Sequence, residues 1–445
     1  MHYDKPVLDD ALANFTSNNE QPGTLVRLGT AKQTGEPVIW QPENTVQVAS
    51  ANLALVGREN TGNTQLLESI VIQLLRQKAQ AGEPLGILIC NGMDDYTESR
   101  STFAEAIGAR VMRLHKLPMN PFSLRGLERR PQLHTHTAMT FADALARAYG
   151  LGALQKSTLV QSILAAYSAR GITSDPLTWD RTPPSFYDVH REYRSRPSAQ
   201  REDALAPVME NPALLDLFDE NVPEDGSAWD LVRDVVILDM SGYSDALKHF
   251  ALGLLLERLS ARLSALPRTL NRRFDKLILV DNADPLLNSG NPGLEELLSQ
   301  GCDHGLGVLL SAENPDCFRQ GDFDFRRWIP TRILHDIEDL RKTDLEFLLG
   351  TDIHDSALEQ LYQVSRHLQK LHSLVHREGA EPVLMEDLPF YEIADDTAQR
   401  YLQWEAPEPE PEPLAGMPLL DASLLDTLVD LDDDPAGPMA ALETF

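Results

Sequence analysis

The segment from Gly57 to Gln65 has the residue types and the spacing of a phosphate-binding loop. Gly57, Gly62 and Thr64 stand where the pattern G-x-x-x-x-G-K-[ST] places its two glycines and its hydroxyl residue. Glycines let backbone N–H groups converge on phosphates, and a hydroxyl at position 64 would hold Mg²⁺. The lysine position is occupied by Asn63. The loop therefore lacks the charge that neutralises the outer phosphates of a bound nucleotide.

Two charged residues lie within this loop. Arg58 is a cation, but it stands at a different position from the lysine of the pattern, and Glu59 adds a negative charge to the loop itself. The predicted nucleotide-binding residues are Gly57, Arg58, Gly62, Asn63, Thr64 and Gln65.

A second motif is the apolar strand Lys276–Asp281 (KLILVD), which ends in an acid. In nucleoside triphosphatases such an acid supports Mg²⁺, so Thr64 and Asp281 are the predicted metal-binding residues. An acidic residue usually follows and polarises the attacking water, but here the next residue is Asn282, whose amide has no basicity. Asp239 ends a similar strand (VVILD) and is the alternative; we favour Asp281.

A third motif is the apolar run Gly307–Ser311, which leads to Glu313. A polar residue at such a strand tip is suited to sensing the γ-phosphate, and it is commonly glutamine. The predicted catalytic positions are Asp281, Asn282 and Glu313, each in a degenerate form.

These motifs need a scaffold, and residues 1–403 supply one by alternating apolar runs with amphipathic helices. The predicted strands are Leu53–Val56, Leu85–Cys90, Val235–Asp239, Lys276–Asp281, Gly307–Ser311 and Thr331–Leu334. The helices predicted near them are Thr64–Gln80, Ala246–Leu263, Leu294–Gln300 and Ile337–Leu349. Continuous apolar runs are typical of parallel strands buried on both faces. The pattern predicts an α/β fold with a doubly wound core.

Residues 126–230 differ because their pattern is mostly helical. The helices predicted there are Ala138–Tyr149, Leu154–Arg170, Phe186–Tyr193 and Asp203–Leu217. We predict a helical insertion at 126–230 between the lead-in and first half of the core (1–125) and its second half (231–403).

Residues 404–445 form an acidic, proline-rich tail. From Glu405 to Phe445 there are eleven acidic residues, seven prolines and no lysine or arginine. Its first part alternates proline with glutamate, which predicts an extended, disordered segment. A short amphipathic helix is predicted next, and the tail is either a solubilising segment or a motif that docks a basic, grooved partner. The predicted partner-binding residues are Leu420, Leu424, Leu425, Leu428, Leu431 and Phe445.

Composition narrows the class of protein. The chain has 445 residues, 42% of them hydrophobic, and a formal net charge of −29. A sizeable core is therefore expected, and no apolar run is long enough to cross a membrane. Its three cysteines lack metal-ligand spacing and its start lacks a signal sequence, which favours a cytoplasmic protein. The acidity argues against broad DNA binding, although the arginine clusters at Arg125–Arg130 and Arg268–Arg273 leave local contact open.

The order of these motifs resembles the motor domain of the FtsK/HerA superfamily, which comprises ring-forming, DNA-translocating ATPases. The likeness includes the lead-in hairpin Gly29–Glu43, the strand and loop Gly86–Tyr96, the Asn-Pro segment Leu117–Leu124 and the stretch Gly293–Pro315. In layout the chain is most similar to the C-terminal ATPase of phosphorothioation-dependent restriction systems, through Gly150–Ile172 and Thr182–Val189.

This resemblance implies a RecA-like P-loop NTPase core, with ATP and Mg²⁺ as ligands if the pocket is competent and no other cofactor. It also implies protein partners in a homo- or hetero-oligomeric ring. Asn63, Asn282 and Glu313 all depart from the family pattern, and the turn Gly301–His304 lacks an arginine that would act on a neighbouring subunit. We therefore predict a non-catalytic pseudo-ATPase, a scaffold or regulatory subunit of a bacterial DNA-processing or anti-phage defence assembly that recruits partners through its acidic tail. The alternative is an active ATP-dependent DNA translocase with a non-standard phosphate loop.

Overall fold

The structure is a computed structural model of the chain. It describes residues 24–44, 48–91, 101–196, 204–211, 214, 216–219, 228–269, 273–319, 323–350 and 355–394. The predicted tail, 404–445, with its leucines and Phe445, lies outside the described residues.

One sheet runs through the described part of the chain. Its strands are β1 (Val26–Ala31), β2 (Pro37–Trp40), β3 (Leu53–Val56), β4 (Gly86–Asn91), β5 (Arg110–Arg113), β6 (Val235–Asp239), β7 (Lys276–Asp281), β8 (Leu306–Ala312), β9 (Thr331–Leu334), β10 (His372–Arg377) and β11 (Val383–Asp387). Their order is β2-β1-β11-β10-β9-β3-β8-β7-β4-β6-β5. From β9 to β5 all neighbours are parallel.

The parallel part contains all six predicted strands, four of them with the predicted bounds. Strand β3 shows why its apolar run is continuous. Leu53 and Leu55 pack into the core on one face of the sheet, and Ala54 and Val56 pack into the core on the other. Successive side chains of a strand point to opposite faces, so a strand covered on both sides needs apolar residues throughout.

The remaining strands form an antiparallel extension beside β9. β1 and β2 pair as a hairpin within the predicted lead-in Gly29–Glu43. β11 joins β1 to β10, and β10 pairs with β9. Strands β10 and β11 were not predicted, because the buried polar residues Ser373, His376 and Asp387 interrupt their apolar pattern.

Helices cover both faces of the sheet. They are α1 (Asn63–Gln80), α2 (Ser101–Ala106), α3 (Leu133–Tyr149), α4 (Ala153–Ala169), α5 (Phe186–Arg194), α6 (Leu205–Met209), α7 (Asp245–Ser260), α8 (Asp284–Ser289), α9 (Pro292–Gln300), α10 (Phe325–Trp328), α11 (Lys342–Leu349) and α12 (Asp355–Ser365). Helices α3 to α6 lie between β5 and β6 in the sequence; the predicted domain limits at residues 126 and 230 stay a prediction. No helix in the described residues is long and apolar enough to cross a membrane.

Two predicted helices are shorter than expected. Within the helix predicted at 203–217, α6 ends before Asn211, whose successor in the sequence is proline; of the residues described beyond Asn211, Leu214 is helical. The helix predicted from Ile337 begins at Lys342. Asp339 has a positive φ of 51°, and the Asp344 carboxylate accepts the Arg341 N–H at 3.0 Å to cap the true start.

Candidate functional site

The segment between β3 and α1 forms the expected turn from strand to helix. Gly62 precedes α1 with a φ of 127°, a conformation that L side chains rarely adopt. A Cβ there would also lie 2.9 Å from Leu371 Cδ2. Helix α1 makes its first backbone bond from the Leu66 N–H to the Gly62 carbonyl, at 3.0 Å. The N–H groups ahead of Leu66 thus have no acceptor within their own helix, as an anion-binding helix start requires.

Asn63, at the lysine position, turns back into the loop. Its Nδ2 donates to the Gly57 carbonyl at 2.7 Å, and its Oδ1 accepts from the Thr61 hydroxyl at 3.3 Å. The side chain therefore fixes the loop from inside. It brings no positive charge to the place where phosphates would lie.

Arg58 is directed to the end of β9. Its guanidinium pairs with the Asp336 carboxylate at 2.5 Å, and its backbone N–H donates to the Asp336 carbonyl at 2.9 Å. This arrangement separates Arg58 from the other predicted binding residues. In this geometry Arg58 does not take the place of the missing lysine.

The second motif lies at the same edge of the sheet because β3, β8 and β7 are parallel neighbours. Asp281 ends β7, and Asn282 follows with a φ of 58°, a left-handed conformation that asparagine tolerates. The Ala283 N–H then donates to the Ser311 carbonyl at 2.7 Å. This bond fixes the motif to the end of β8, close to Glu313.

Asp284, which the sequence analysis passed over, organises this edge. Its carboxylate accepts the backbone N–H groups of Glu313 at 2.9 Å and of Asn314 at 3.0 Å. Burial raises the pKa of Glu313, and the negative charges of Glu59, Asp284 and Asp281 raise it further. The edge is thus a concentration of carboxylates.

Loop and acidic edge enclose a pocket of about 280 Å³. It is lined by Glu59, Asn60, Gly62, Asn63, Thr64, Gln65, Asp281, Asn282, Ser311, Glu313 and Lys370. The structure therefore brings together most of the predicted nucleotide, metal and catalytic positions. Arg58 lies apart, and so does Asp239, which ends β6 three positions beyond β8 in the sheet.

Lys370 is the residue of this pocket that sequence reasoning missed. It belongs to the turn before β10, and no motif or periodicity marks it in the sequence. Its neighbour Leu371 has a positive φ of 62°. The Leu371 N–H donates to the Thr61 carbonyl at 2.8 Å, so the turn is bonded to the phosphate-binding loop.

A buried polar network supports the loop from below. His335 Nε2 lies 2.6 Å from Asp387 Oδ2, and both side chains are fully buried. The Ser373 hydroxyl donates to Asp387 Oδ1 at 2.6 Å. The His335 N–H donates to the Val56 carbonyl at 2.9 Å, and a Cβ on Gly57 would lie 2.6 Å from His335 Cβ. The network thus joins the first glycine of the loop to strands β10 and β11.

The donor set of the pocket fits Mg²⁺ bound together with phosphate. Mg²⁺ prefers oxygen ligands and usually binds through one or two carboxylates plus substrate phosphates and water. Thr64 and Asp281 offer a hydroxyl and a carboxylate in the pocket. No group of three or more histidine, cysteine, aspartate or glutamate side chains that could hold a metal ion by itself occurs in the described ranges.

Comparison with known proteins identifies the fold. No protein family model and no curated protein matches the sequence. The structure of VirB4 of Thermoanaerobacter pseudethanolicus is similar, with a TM-score of 0.62 and 15% identity over 84% of this chain and 99% of that chain. Plasmid coupling protein TrwB in complex with ADP and Mg²⁺ gives 0.49 and 13% over 84% of this chain and 92% of that chain. The first likeness confirms the predicted RecA-like P-loop ATPase fold.

Proposed function

We propose that this chain is a non-hydrolysing pseudo-ATPase that serves as a scaffold or regulatory subunit of a bacterial DNA-processing or anti-phage defence assembly. The observation that carries the proposal is the presence of amides, where the family pattern has charged groups, inside the pocket that brings most of the predicted site positions together. Asn63 bonds to its own loop, and Asn282 stands where the water-polarising acid is expected. An amide neither neutralises a phosphate nor accepts a proton from water.

The charge of the pocket supports the same proposal. Glu59, Asp281 and Glu313 line it, and together they oppose the negative charge that develops on a transferring phosphoryl group. Catalysis of phosphoryl transfer depends on cationic groups placed around that charge. A pocket of this composition is poorly suited to hydrolysing a nucleotide. Binding without hydrolysis, or no nucleotide binding, fits it better.

The surface charges favour a role in binding other proteins over a role in binding DNA. In the two arginine clusters, Arg129 pairs with Asp180 at 3.1 Å and Arg273 with Glu83 at 2.9 Å. These cations are already matched by carboxylates, and the net charge of −29 opposes DNA. The proposed partners are protein subunits, which the acidic tail would recruit.

An active DNA translocase is the second candidate. Lys370 and Glu313 favour it, because Lys370 gives the pocket a cation from outside the expected motifs and Glu313 gives it a carboxylate at the end of the third motif. Glu313 could accept a proton from water, and its raised pKa would suit that task.

Hydrolysis of MgATP, measured with and without duplex DNA, separates the two candidates. We expect no release of phosphate above background in either condition. DNA-stimulated turnover that Glu313→Gln abolishes would overturn the pseudo-ATPase proposal. The double variant Asn63→Lys with Asn282→Glu is the matched gain-of-function test, and turnover in that variant alone would show that the two amides inactivate the pocket.

A further inference from the structure

We propose that Lys370 supplies the phosphate-binding charge that position 63 lacks, so that the pocket binds a nucleoside triphosphate with Mg²⁺ although it does not hydrolyse it. This inference rests on the proposed function and adds a ligand to it. The cation comes from the turn before β10 instead of from the first turn of α1.

The position of Lys370 in the chain is fixed by bonds on the next residue. The Leu371 N–H donates to the Thr61 carbonyl at 2.8 Å, and the Leu371 carbonyl accepts the Asp387 N–H at 2.9 Å. Asp387 in turn holds His335 and Ser373, each at 2.6 Å. The backbone beside Lys370 is therefore bonded on one side to the phosphate-binding loop and on the other to the buried network.

The conformation of this turn indicates a functional constraint. Leu371 is a bulky residue with a φ of 62°, a region where side chains other than glycine, asparagine and aspartate are strained. Such strain persists only where the surroundings impose it, and it is concentrated at ligand sites and active sites. The Leu371 side chain fills the space over Gly62, 2.9 Å from where a Cβ would be, so the strained turn and the loop glycine fit each other.

The charges around Lys370 indicate that its ammonium is available to a ligand. Among the described residues that line the pocket it is the one cation, beside the carboxylates of Glu59, Asp281 and Glu313. Its ammonium forms no ion pair within the described part of the chain. Arg58, the basic residue within the loop, differs from Lys370 because it is paired with Asp336. An ammonium without an ion-pair partner in the described residues, beside helix N–H groups that lack an acceptor within their own helix, suits a phosphate chain.

Calorimetric titration of the full chain with MgATP tests the inference, with hydrolysis followed in parallel. Lys370→Ala is expected to raise the dissociation constant about 10- to 100-fold, the range for loss of one charge-assisted hydrogen bond. Lys370→Arg should stay close to the wild type. Arg366→Ala is the matched control, because Arg366 lies four residues away and stacks on Tyr362 at 5.6 Å. Asn63→Lys in the Lys370→Ala background should restore part of the affinity.

Each outcome decides the point. Unchanged affinity in Lys370→Ala, with wild-type thermal unfolding, would overturn the inference, as would no binding by the wild type at millimolar MgATP. That second result would leave the scaffold proposal standing. Turnover by the wild type would overturn the pseudo-ATPase proposal, and with it the statement that the bound nucleotide is not hydrolysed. The affinity of Lys370→Ala would still test whether the lysine binds phosphate.

Discussion

Two pockets of similar size are lined by charged residues, and they differ in how those residues are paired. In the phosphate-loop pocket of about 280 Å³, Lys370 has no ion-pair partner among the described residues. The second pocket, of about 250 Å³, lies between α3, α7 and α9. There Arg147 pairs with Glu257, and Arg258 Nη2 donates to the Ser123 carbonyl at 2.7 Å.

The difference shows which polar groups serve the fold and which are left for a ligand. In the second pocket Arg147, Glu257 and Arg258 each bond to another group of the protein, as buried polar groups usually do. In the first pocket Asp387 binds both His335 and Ser373 beneath the loop, whereas Lys370 at the cavity has no ion-pair partner among the described residues. The phosphate-binding loop is thus fixed by the network of His335, Ser373 and Asp387, while Lys370 at the cavity stays available to a ligand.

The largest expected effect comes from breaking the support. Asp387→Ala leaves His335 and Ser373 buried without their partner, which should lower the free energy of unfolding by about 2–4 kcal/mol. The exposed neighbour Glu386, which pairs with Lys32 at 3.0 Å, is the matched control, and Glu386→Ala should have a much smaller effect on stability, because solvent screens an exposed ion pair. Urea denaturation of both variants measures the difference. Equal stability of the two variants would show that the network is not a support.

A second prediction concerns pH and the paired pocket. Burial raises the pKa of Glu257 from 4.5 to about 7, with Arg147 opposing and Asp143 adding to the shift. A carboxyl whose pKa is raised by folding contributes stability below its unfolded pKa and loses it as pH rises through the folded pKa. The wild type should therefore lose about 2–3 kcal/mol between pH 4.5 and pH 7.5 from this group, relative to Glu257→Gln.

Thermal or urea unfolding of the two proteins across that range checks the sign. Glu128→Gln, which changes an exposed carboxylate at the rim of the same pocket, is the control and should keep the wild-type pH dependence. A stability difference between the wild type and Glu257→Gln that stays constant with pH would contradict the prediction.

The same contrast explains what the sequence could reveal. Continuous apolar runs such as Leu53–Val56 identify strands buried on two faces, and glycine spacing identifies the loop, because both are local patterns. Lys370 could not be found in this way. It reaches the loop only because β10 and β11 fold back against β9, and the buried polar residues Ser373 and His376 conceal β10 as a strand.

Charge alone was a poor guide within the loop itself. Arg58 is adjacent to Gly57 in the sequence, yet its guanidinium lies against Asp336, which follows β9. Asp284 shows the converse. Its carboxylate holds the tip of β8 through two backbone bonds, a role set by the pairing of β7 with β8 rather than by its own motif.

The smallest expected effect therefore distinguishes the two cations of the loop region. Arg58→Ala removes an ion pair in which 56% of the arginine side chain but only 15% of the Asp336 side chain is accessible, and it should lower the free energy of unfolding by about 1 kcal/mol. Arg58 does not line the pocket, so the MgATP affinity of this variant, measured beside Lys370→Ala, should stay within about twofold of the wild type. A twofold change corresponds to about 0.4 kcal/mol. A loss of tenfold or more in Arg58→Ala, with Lys370→Ala unaffected, would reverse the assignment. Arg58 would then have to leave Asp336 in order to bind phosphate. An ion pair seen without ligand would no longer show that a charged residue serves the fold and not the ligand.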